Sequence, residues 1–455
     1  MKNPFPVLSY AEEMGILILE KTAYIHTLGC RLNSADSALL VSRLAADGYE
    51  IVDSARNASL IVINSCTVTA EASRKSRQAV RKFRQQAGSA TIVVTGCSAE
   101  LDRAAFLADG AADLVLTNPE KREIVPSIEA FLREGKKRGG ICRSLDQPIE
   151  PFAEHATGRF PFRSRAFLKI QEGCNNFCTY CIVPYARGPE RSRSFDEVLT
   201  DCRRAIEAGY PELVLTGVNT CAYSDSGRDL GALVHAVAAL DGEFRIRLSS
   251  TEPHPANRSL LDVMASEPRV CRFLHLALQS GCDRTLQAMN RHYCRSDYAE
   301  FVEAARKRIP GIHIGSDLIV GFPGETDADF AESLAFVESM QFANLHVFTY
   351  SPRGGTPAAS LPGRISAAAA KERHSRMQAV ADHSKRRFAE SQLGQTLPVI
   401  FETVDRDGFA HGWSDNYLAV RLPAELAGEG GIRQVPATRE TLTLLAGAER
   451  EAVEE

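Results

Sequence analysis

The stretch FLKIQEGCNNFCTYC, Phe167–Cys181, joins a short apolar run to three closely spaced cysteines. Cys174, Cys178 and Cys181 stand in a C-x3-C-x2-C arrangement directly after the run FLKI, which predicts a strand. Three such thiolates can hold three irons of a [4Fe-4S] cluster and leave the fourth iron open. Zinc is the alternative, but it normally takes a fourth protein ligand. The dozen residues after Cys181 contain neither histidine nor cysteine, which favours the iron-sulfur cluster.

Five further strand-like runs follow this one, and helical stretches separate them. The six runs are FLKI, ELVLTG, FRIRLSS, RFLHLAL, IHIGSDLIV and ANLHVFTY, and helices are predicted to begin near Phe195, Asp229, Arg258, Asp283, Ser296 and Asp327. Six βα units predict a partial (βα)6 barrel with parallel strands. The active face of such a barrel lies at the carboxyl ends of the strands, where the cysteine loop also lies.

Residues 23–145 alternate strands and helices in a separate unit. The runs AYIHTLG, LIVINS and TIVVTG predict an open parallel α/β sheet, with helices over Ser34–Asp47 and Glu71–Gln86. One cysteine follows each run: Cys30, Cys66 and Cys97. Ligand sites in open α/β sheets lie beyond the carboxyl ends of the strands, so we expect these thiols to converge. Three separate buried thiols are the alternative, but the repeated placement favours ligands of one iron-sulfur cluster.

The composition is that of an ordinary folded chain. Of the 455 residues, 44% are hydrophobic and 24% are charged, and the length predicts about three domains. The net charge of −4 argues against a protein that coats nucleic acid by bulk charge, so RNA contact would need local basic patches. No run approaches the ~18 apolar residues of a membrane span, and we interpret residues 1–21 as a cytoplasmic leader or an over-extended start. Twelve cysteines are too sparse for a disulfide scaffold.

The remaining segments suggest three domains. Glu150–Arg165 has no apolar period and predicts a linker, whereas Ser366–Gln392 predicts a charged helix. In residues 396–422, short β runs separated by turn residues predict a small C-terminal β-barrel. We place the N-terminal domain at 21–145, the barrel domain at 160–392 and the β-module at 393–455.

The two cysteine sets together resemble those of the radical S-adenosylmethionine methylthiotransferases. The pattern C-x3-C-x-aromatic-C after the first barrel strand is similar to that of the radical S-adenosylmethionine superfamily. The segments TLGCRLNSADS, INSCTVT and VVTGCSAE resemble the N-terminal domain of the methylthiotransferases. CTYCIVPYARGPERSRS, LHLALQSGCDRTLQAMNR, DLIVGFPGET and FTYSPRGGTPAA resemble their barrel. The resemblance covers essentially the whole chain from Thr22 onward, and the C-terminal module resembles the TRAM RNA-binding domain.

The resemblance implies a sulfur-inserting transferase that uses two [4Fe-4S] clusters and S-adenosylmethionine. Cys174, Cys178 and Cys181 would be the catalytic set, whose cluster binds S-adenosylmethionine and cleaves it to a 5′-deoxyadenosyl radical. The other cluster would carry the sulfur, on Cys30, Cys66 and Cys97. An iron-sulfur RNA-binding module without enzymatic activity is the alternative.

Further site residues follow from the strand ends and from local charge. The predicted contacts to S-adenosylmethionine are Tyr180, Gly217, Asn219, Ser250, Glu252, Gln279, Gly321 and Phe322, for which ordinary turns or core packing are the alternative. The predicted RNA contacts are Arg74, Lys75, Arg77, Arg81, Lys82, Arg187, Arg191 and Arg193, for which a solvated surface is the alternative. Because residues 396–455 are acidic, RNA contact there would rest on shape and on aromatics such as Trp413 and Tyr417.

The substrate is predicted from two motifs. TLGC-x-x-N at Thr27–Asn33 and PYARG-x-x-RSR at Pro184–Arg193 resemble the branch that methylthiolates N6-threonylcarbamoyladenosine beside the tRNA anticodon, at position 37. Arg31-Leu32 departs from the lysine-valine of that branch. N6-isopentenyladenosine in tRNA or a ribosomal-protein aspartate is the alternative substrate. The resemblance implies tRNA, an electron donor such as flavodoxin or ferredoxin, and a sulfur source as partners, without a membrane.

Overall fold

The computed structural model describes residues 21–108, 110–134, 164–253, 258–428 and 430–446. The predicted leader up to residue 20, the predicted linker up to residue 163 and residues 447–455 of the C-terminal module lie outside the described residues. The domain boundaries proposed at 145 and 160 fall there too and stay predictions. Of the helices in the described ranges, none combines the length and the apolar character that a membrane span requires.

The N-terminal domain is an open parallel sheet, as predicted. Its elements are β1 (Thr22–Thr27), α1 (Arg31–Ala46), β2 (Glu50–Ile51), β3 (Leu60–Ser65), α2 (Ala70–Gln86), β4 (Thr91–Gly96), α3 (Cys97–Leu101), α4 (Arg103–Ala108), β5 (Leu114–Val115) and α5 (Ile124–Glu134). The strands lie in the order β2-β1-β3-β4-β5, and every pair is parallel. The β-branched residues of β3 and β4 are buried on both faces, which is typical of a central parallel strand.

The first helix begins at Arg31, three residues before the predicted start at Ser34. Cys30 has an extended backbone and occupies the N-cap position. The side-chain amide of Asn33 donates hydrogen bonds to the carbonyl oxygens of Leu28 and Ser65, 2.7 and 3.0 Å away. Asn33 therefore ties the start of this helix to the ends of two strands, a long-range role that the local sequence does not reveal.

The second domain is a partial barrel, and all six predicted strands are present. Its elements are β6 (Arg165–Lys169), β7 (Gln171–Glu172), α6 (Val183–Arg187), β8 (Arg191–Ser192), α7 (Phe195–Glu207), β9 (Glu212–Thr216), β10 (Ser224–Asp225), β11 (Arg228–Asp229), α8 (Leu230–Ala238), β12 (Arg245–Leu248), β13 (Ser250–Thr251), α9 (Arg258–Ser266), β14 (Phe273–Leu276), α10 (Asp283–Ala288), α11 (Arg295–Arg308), β15 (His313–Val320), α12 (Asp327–Met340) and β16 (Asn344–Thr349).

Two parallel sheets form the barrel wall, in the orders β12-β9-β6 and β13-β14-β15-β16. β13 continues the run of β12 after Ser249, so the six βα units succeed one another around the wall. In the described part of the chain, β6 and β16 do not pair with each other, and the barrel is open along one side. The largest hydrophobic core lies between the strands and the surrounding helices, with Leu168, Leu215 and Leu274 on the strand side.

A buried ionic cluster joins the N-terminal domain to the barrel. Asp36 on α1 is fully buried, and its carboxylate lies 2.6 Å from Lys121 Nζ, 2.6 Å from Lys169 Nζ and 3.0 Å from Arg187 Nη2. Burial alone would raise the pKa of Asp36, but the three cations hold it well below its usual value. Lys169 and Arg187 belong to the barrel, so this carboxylate binds the two domains together through charge.

The C-terminal module follows the long helix α13 (Ala367–Ser391), which confirms the helix predicted over Ser366–Gln392. Its further elements are β17 (Thr396–Val404), β18 (Phe409–Ser414), β19 (Ala419–Pro423), α14 (Ala424–Ala427), β20 (Arg433–Pro436) and α15 (Thr443–Ala446). The strands form an antiparallel sheet in the order β19-β18-β17-β20. The described residues therefore form a four-stranded half-barrel sheet, in agreement with the small β-module that the sequence predicts.

Tyr417 of this module lies at a junction of all three domains. The guanidinium carbon of Arg31 is 5.5 Å from the ring centre of Phe273 and 5.4 Å from that of Tyr417. Arg247 lies 4.9 Å from the same tyrosine ring and donates hydrogen bonds to the carbonyl oxygens of Ser414 and Asp415. Tyr417 is therefore half-buried between arginines of the other two domains, and its predicted contact with RNA stays a prediction, as does that of Trp413. Arg31, which stands where the threonylcarbamoyladenosine branch has lysine, packs on the rings of Phe273 and Tyr417.

Candidate functional site

The barrel cysteines share one loop between β7 and α6. The Cys174 amide donates to the carbonyl of Gly188 (3.1 Å), and the Cys181 amide donates to that of Cys178 (2.9 Å). Burial raises the pKa of Cys174 and of Cys181 to about 12, and the charge of the Cys178 sulfur adds to both shifts. The three sulfurs therefore lie close enough to influence one another, and metal binding would have to displace their protons.

The segment that follows α10 holds this loop in place. The Thr179 amide donates to the carbonyl of Met289 (3.0 Å), and the side-chain amide of Asn290 donates to the carbonyls of Asn176 (2.9 Å) and Phe177 (3.2 Å). The backbone of the cysteine loop is thus fixed before any cofactor binds.

Arg291 places a cation against this cysteine set. Its Nη1 lies 3.2 Å from Cys178 Sγ, and its Nη2 lies 2.8 Å from Glu252 Oε1. The other oxygen of Glu252 accepts a hydrogen bond from Asn176 Nδ2 (2.9 Å), a residue of the cysteine loop. A carboxylate and a guanidinium therefore meet at the edge of the thiols, where they can orient a zwitterionic ligand.

The predicted contacts to S-adenosylmethionine lie at the carboxyl ends of the barrel strands. Tyr180 packs against a small apolar cluster of Met289, Phe322 and Ala358. Gly321, at a φ of +73°, donates its amide to the carboxylate of Glu325. Tyr180 therefore connects the cysteine loop to the segment that follows β15, where Gly321 and Phe322 lie.

Two of the other predicted contacts, Gly217 and Asn219, adjoin Gln171, a residue that the sequence did not single out. Gln171 Oε1 accepts a hydrogen bond from the Asn219 amide (2.9 Å) and lies so close to Gly217 that a Cβ there would be 2.8 Å away. The Ser250 carbonyl accepts from Thr220, the neighbour of Asn219 (2.9 Å). Gln279 has a φ of +67° and continues the pairing of β14 with β15. Seven of the eight predicted contacts thus lie beside strand ends and Tyr180 lies in the cysteine loop, and their roles toward a ligand stay predictions.

The N-terminal cysteines converge as predicted. Cys30, Cys66 and Cys97 follow the adjacent parallel strands β1, β3 and β4. Cys30 is exposed and the other two are buried. Burial raises the pKa of Cys66 to about 11, and the charges of the Cys97 and Cys30 sulfurs add to this shift. Gly29, at a φ of +95°, leaves room for this arrangement because a Cβ there would lie 2.6 Å from the Cys66 sulfur.

The spacing of the sulfurs tests which metal group each set fits. Two thiolates on one tetrahedral zinc ion lie about 3.8 Å apart. Among the described residues, the three ligating side chains that come within 4.8 Å of one another are Cys282, Asp329 and Glu332, and neither cysteine set meets this limit. Wider spacing is required when each thiolate binds a different iron of a cubane. The sulfurs of neither set are therefore gathered around one metal ion, and three thiolates in each set are the donors that a [4Fe-4S] cluster with one open iron takes. In the Cys282 group, Asp329 is already bound by Arg284 and Thr326.

Arg187 contacts the N-terminal cysteines from the barrel domain. Its Nε lies 3.2 Å from Cys97 Sγ, and its Nη1 lies 2.8 Å from Glu172 Oε1. The sequence suggested that Arg187 and Arg193 contact RNA, but they are only 6% and 3% exposed. Arg193 is paired with the buried Asp201, and Arg191 lies 3.1 Å from Glu172. Arg187 and Arg193 are therefore withdrawn from the predicted RNA contacts.

The basic helix α2 keeps an exposed face. Arg74 and Lys75 lie 2.5 and 4.0 Å from Glu71 on the first turn, and Arg77 lies 3.7 Å from Asp102. These pairs reduce the net positive charge of the helix but leave the side chains at the surface. Their predicted contact with RNA, together with that of Arg81 and Lys82, stays a prediction.

Comparisons with known proteins match both domains. The Radical SAM superfamily matches residues 168–337, and Uncharacterized protein family UPF0004 matches residues 22–117. The threonylcarbamoyladenosine tRNA methylthiotransferase MtaB of Bacillus subtilis is 34% identical over 88% of this chain and 90% of its own length. The tRNA-2-methylthio-N(6)-dimethylallyladenosine synthase of Cereibacter sphaeroides is 34% identical over 93% of this chain and 97% of its own length.

A solved structure shares the fold. It is the radical S-adenosylmethionine methyltransferase TsrM from Kitasatospora setae, with cobalamin and a [4Fe-4S] cluster bound. The TM-score is 0.54 at 14% identity, over 75% of this chain and 77% of the other. At this identity the likeness concerns the fold alone.

Proposed function

The chain belongs to the radical S-adenosylmethionine methylthiotransferases, and from that premise we propose that it methylthiolates N6-threonylcarbamoyladenosine at position 37 of tRNA. The reaction class is that of the family: a transferase that modifies tRNA with two [4Fe-4S] clusters and S-adenosylmethionine. The choice of modified adenosine and the ligand sets are the proposals.

We assign Cys174, Cys178 and Cys181 to the cluster that binds S-adenosylmethionine, and Cys30, Cys66 and Cys97 to the cluster that carries sulfur. The observation that carries this assignment is the presence of two separate three-cysteine sets, one on the loop after β7 and one after the ends of β1, β3 and β4, neither of them gathered within 4.8 Å around one metal ion. When bound, the clusters and S-adenosylmethionine supply a radical and a methylated sulfur for insertion into a C–H bond.

The protein's own residues position and shield these groups. The carboxylate of Glu252 and the guanidinium of Arg291 can hold the amino and carboxylate ends of a methionine moiety. The aromatic ring of Tyr180, which packs on the buried Phe322, gives the loop an apolar contact that suits a nucleobase and excludes water. Asn290 keeps the loop backbone in the conformation that presents the thiols.

Two motifs support threonylcarbamoyladenosine as the substrate, because TLGC-x-x-N and PYARG-x-x-RSR resemble that branch. N6-isopentenyladenosine is the second candidate, because a dimethylallyladenosine synthase matches the chain at the same 34% identity. Overall identity therefore does not separate the two substrates.

A direct assay decides between them. The reconstituted enzyme is incubated anaerobically with S-adenosylmethionine, dithionite, a sulfur source and tRNA that carries one of the two modifications. The tRNA is then digested to nucleosides, which are analysed by mass spectrometry. We expect a methylthio product from the threonylcarbamoyl tRNA. A product from the isopentenyl tRNA alone would transfer the assignment to the second candidate, and no 5′-deoxyadenosine with any tRNA would contradict the radical reaction.

A further inference from the structure

We propose that Arg187 is a positioning residue for the N-terminal cysteine set: a guanidinium supplied by the barrel holds the Cys97 sulfur and raises the reduction potential of the cluster bound there. This role rests on the ligand sets proposed above. Arg187 lies outside both cysteine motifs, and its contact with Cys97 would connect the two cofactor sites.

Arg187 is shared between the two sites by its position in the chain. It is the last residue of α6, and Cys181 of the barrel set precedes it by six residues. Helix α6 packs against α3, whose first residue is Cys97, and the Asn118 side-chain amide donates to the Ala186 carbonyl (2.7 Å). A short helix that starts beside one cysteine set therefore ends beside the other.

The guanidinium is fixed in orientation by partners on every side. Its Nε points at Cys97 Sγ, and its Nη1 donates to Glu172 Oε1. Its Nη2 lies 2.5 Å from Asn33 Oδ1 and 3.0 Å from Asp36 Oδ2. Asn33 and Asp36 lie on α1, directly after Cys30. One side chain thus contacts the first and the third strand-end segments of the N-terminal set.

The carboxylates of Asp36 and Glu172 have other cationic partners besides Arg187, whereas the side-chain hydrogen bond to the Cys97 sulfur comes from Arg187. Asp36 also binds Lys121 and Lys169, and Glu172 also lies near Lys169 and Arg191. Among the described residues, the side-chain hydrogen bond to Cys97 comes from Arg187. A buried arginine that served only to neutralise carboxylates would not need to direct its Nε at a thiol.

The physical consequence concerns the charge of a bound cluster. Reduction adds one negative charge, and a cation that donates a hydrogen bond to a ligating sulfur stabilises the reduced state more than the oxidised state. Because the site is buried, this interaction is weakly screened. Removal of the guanidinium should therefore lower the reduction potential of this cluster.

The test isolates the N-terminal cluster in the full-length chain. The background variant has Cys174, Cys178 and Cys181 replaced by alanine, so that reconstituted iron reports on the N-terminal set alone. Arg187→Met and Arg187→Lys are introduced into it, with Arg193→Met as the matched control. Arg193 is a similarly buried arginine of the same segment, and its guanidinium binds Asp201 and the Lys169 carbonyl instead of a cysteine of either set. Iron content, circular dichroism and a redox titration followed by electron paramagnetic resonance are measured for each.

We expect Arg187→Met to shift the midpoint potential to more negative values and to change the resonance line shape, whereas Arg193→Met leaves both unchanged. Arg187→Lys keeps the buried charge, but one ammonium cannot bind the carboxylates and the sulfur together, so a smaller shift in the same direction is expected. The lysine variant decides the question if the methionine variant does not fold. Folded variants with the control's potential would reduce Arg187 to an ion-pair partner and overturn the proposal. A background chain that binds no iron would instead overturn the ligand assignment, and this role with it.

Discussion

The two cysteine sets present similar thiols from very different scaffolds. The barrel set lies on one short loop, which is held by local hydrogen bonds to the Met289 carbonyl and from the Asn290 side chain. The N-terminal set is collected from three adjacent strands of a parallel sheet, so its geometry depends on the whole sheet. A loop can be preorganised by its immediate neighbours, whereas strand ends are positioned by the core beneath them.

Each set also receives one arginine, and here the two sites differ again. Arg291 approaches Cys178 from the same domain, but Arg187 approaches Cys97 from the neighbouring domain. The barrel set should therefore be complete within its own domain, whereas the N-terminal set should be complete only when the two domains are docked. The following variants test whether the two sets differ in this way.

The largest effect is expected from removal of the barrel set. Replacement of Cys174, Cys178 and Cys181 by alanine should abolish reductive cleavage of S-adenosylmethionine, because the cluster that binds it loses its ligands. The N-terminal set should still hold roughly four irons per chain. Release of 5′-deoxyadenosine and iron content after anaerobic reconstitution measure the two quantities. If a folded variant lost all its iron, the sets would not be independent.

Removal of the N-terminal set should give the opposite pattern. With Cys30, Cys66 and Cys97 replaced by alanine, the enzyme should still cleave S-adenosylmethionine, since that reaction depends on the barrel, but it should form no methylthio product. A circular-dichroism melt must accompany the assay, because loss of a cluster can unfold the domain that holds it. A folded variant that still produced methylthiolated nucleoside at the wild-type rate would contradict the sulfur-carrying role.

A smaller effect is expected from the ionic cluster between the domains. Asp36→Ala leaves Lys121, Lys169 and Arg187 without their shared carboxylate and should lower the free energy of unfolding by about 3–5 kcal/mol. Urea denaturation measures this change. Asp201→Ala, which breaks a buried pair inside the barrel, is the matched control. Both should destabilise the fold, but only Asp36→Ala should reduce the iron held by the N-terminal set; equal iron in both variants would argue against dependence on docking.

The smallest effects are expected at two glycines, one beside each set. A Cβ on Gly29 would press on the Cys66 sulfur, and a Cβ on Gly173 would overlap the Pro189 carbonyl. Both residues have positive φ, which costs a residue with a side chain about 1–2 kcal/mol. Gly29→Ala should weaken iron binding in the N-terminal set only, and Gly173→Ala in the barrel set only.

Gly209→Ala is the control for the glycine pair, because its φ is +82° and no atom lies within 4 Å of the added Cβ. It should show the backbone strain without loss of iron. Iron content of each variant in the wild-type and triple-alanine backgrounds measures the effect. A loss of iron from both sets with either glycine variant would show that the two sites share one folding unit.

The sequence predicted the elements well because they depend on local patterns. The β-branched runs gave all six barrel strands and the three strands that end at Cys30, Cys66 and Cys97. The convergence of those cysteines also followed, since parallel strands end at one edge of a sheet. The start of α1 was placed too late because its N-cap is a cysteine, which is not among the usual capping residues.

The roles of the arginines could not be predicted, because they depend on partners far away in the chain. Arg187 and Arg193 stand in a basic segment, and the sequence alone gave no sign that Asp36 and Asp201 would neutralise them in the interior. A charge pattern in the sequence indicates how many cations a segment contains, but not whether their side chains are buried or exposed. The same limit applies to Tyr417, whose ring packs against arginines within the protein.

The contacts of Arg31 limit which domains of this protein can be exchanged for those of a relative. Arg31 is the covalent neighbour of Cys30, and its guanidinium lies over one ring from the barrel and one from the C-terminal sheet. The three domains are therefore not exchangeable building blocks. A chimera that takes its C-terminal sheet from a relative must also supply an aromatic ring at the place of Tyr417. Without that ring, the Arg31 cation would lose one of its two aromatic partners, one residue away from a proposed cluster ligand.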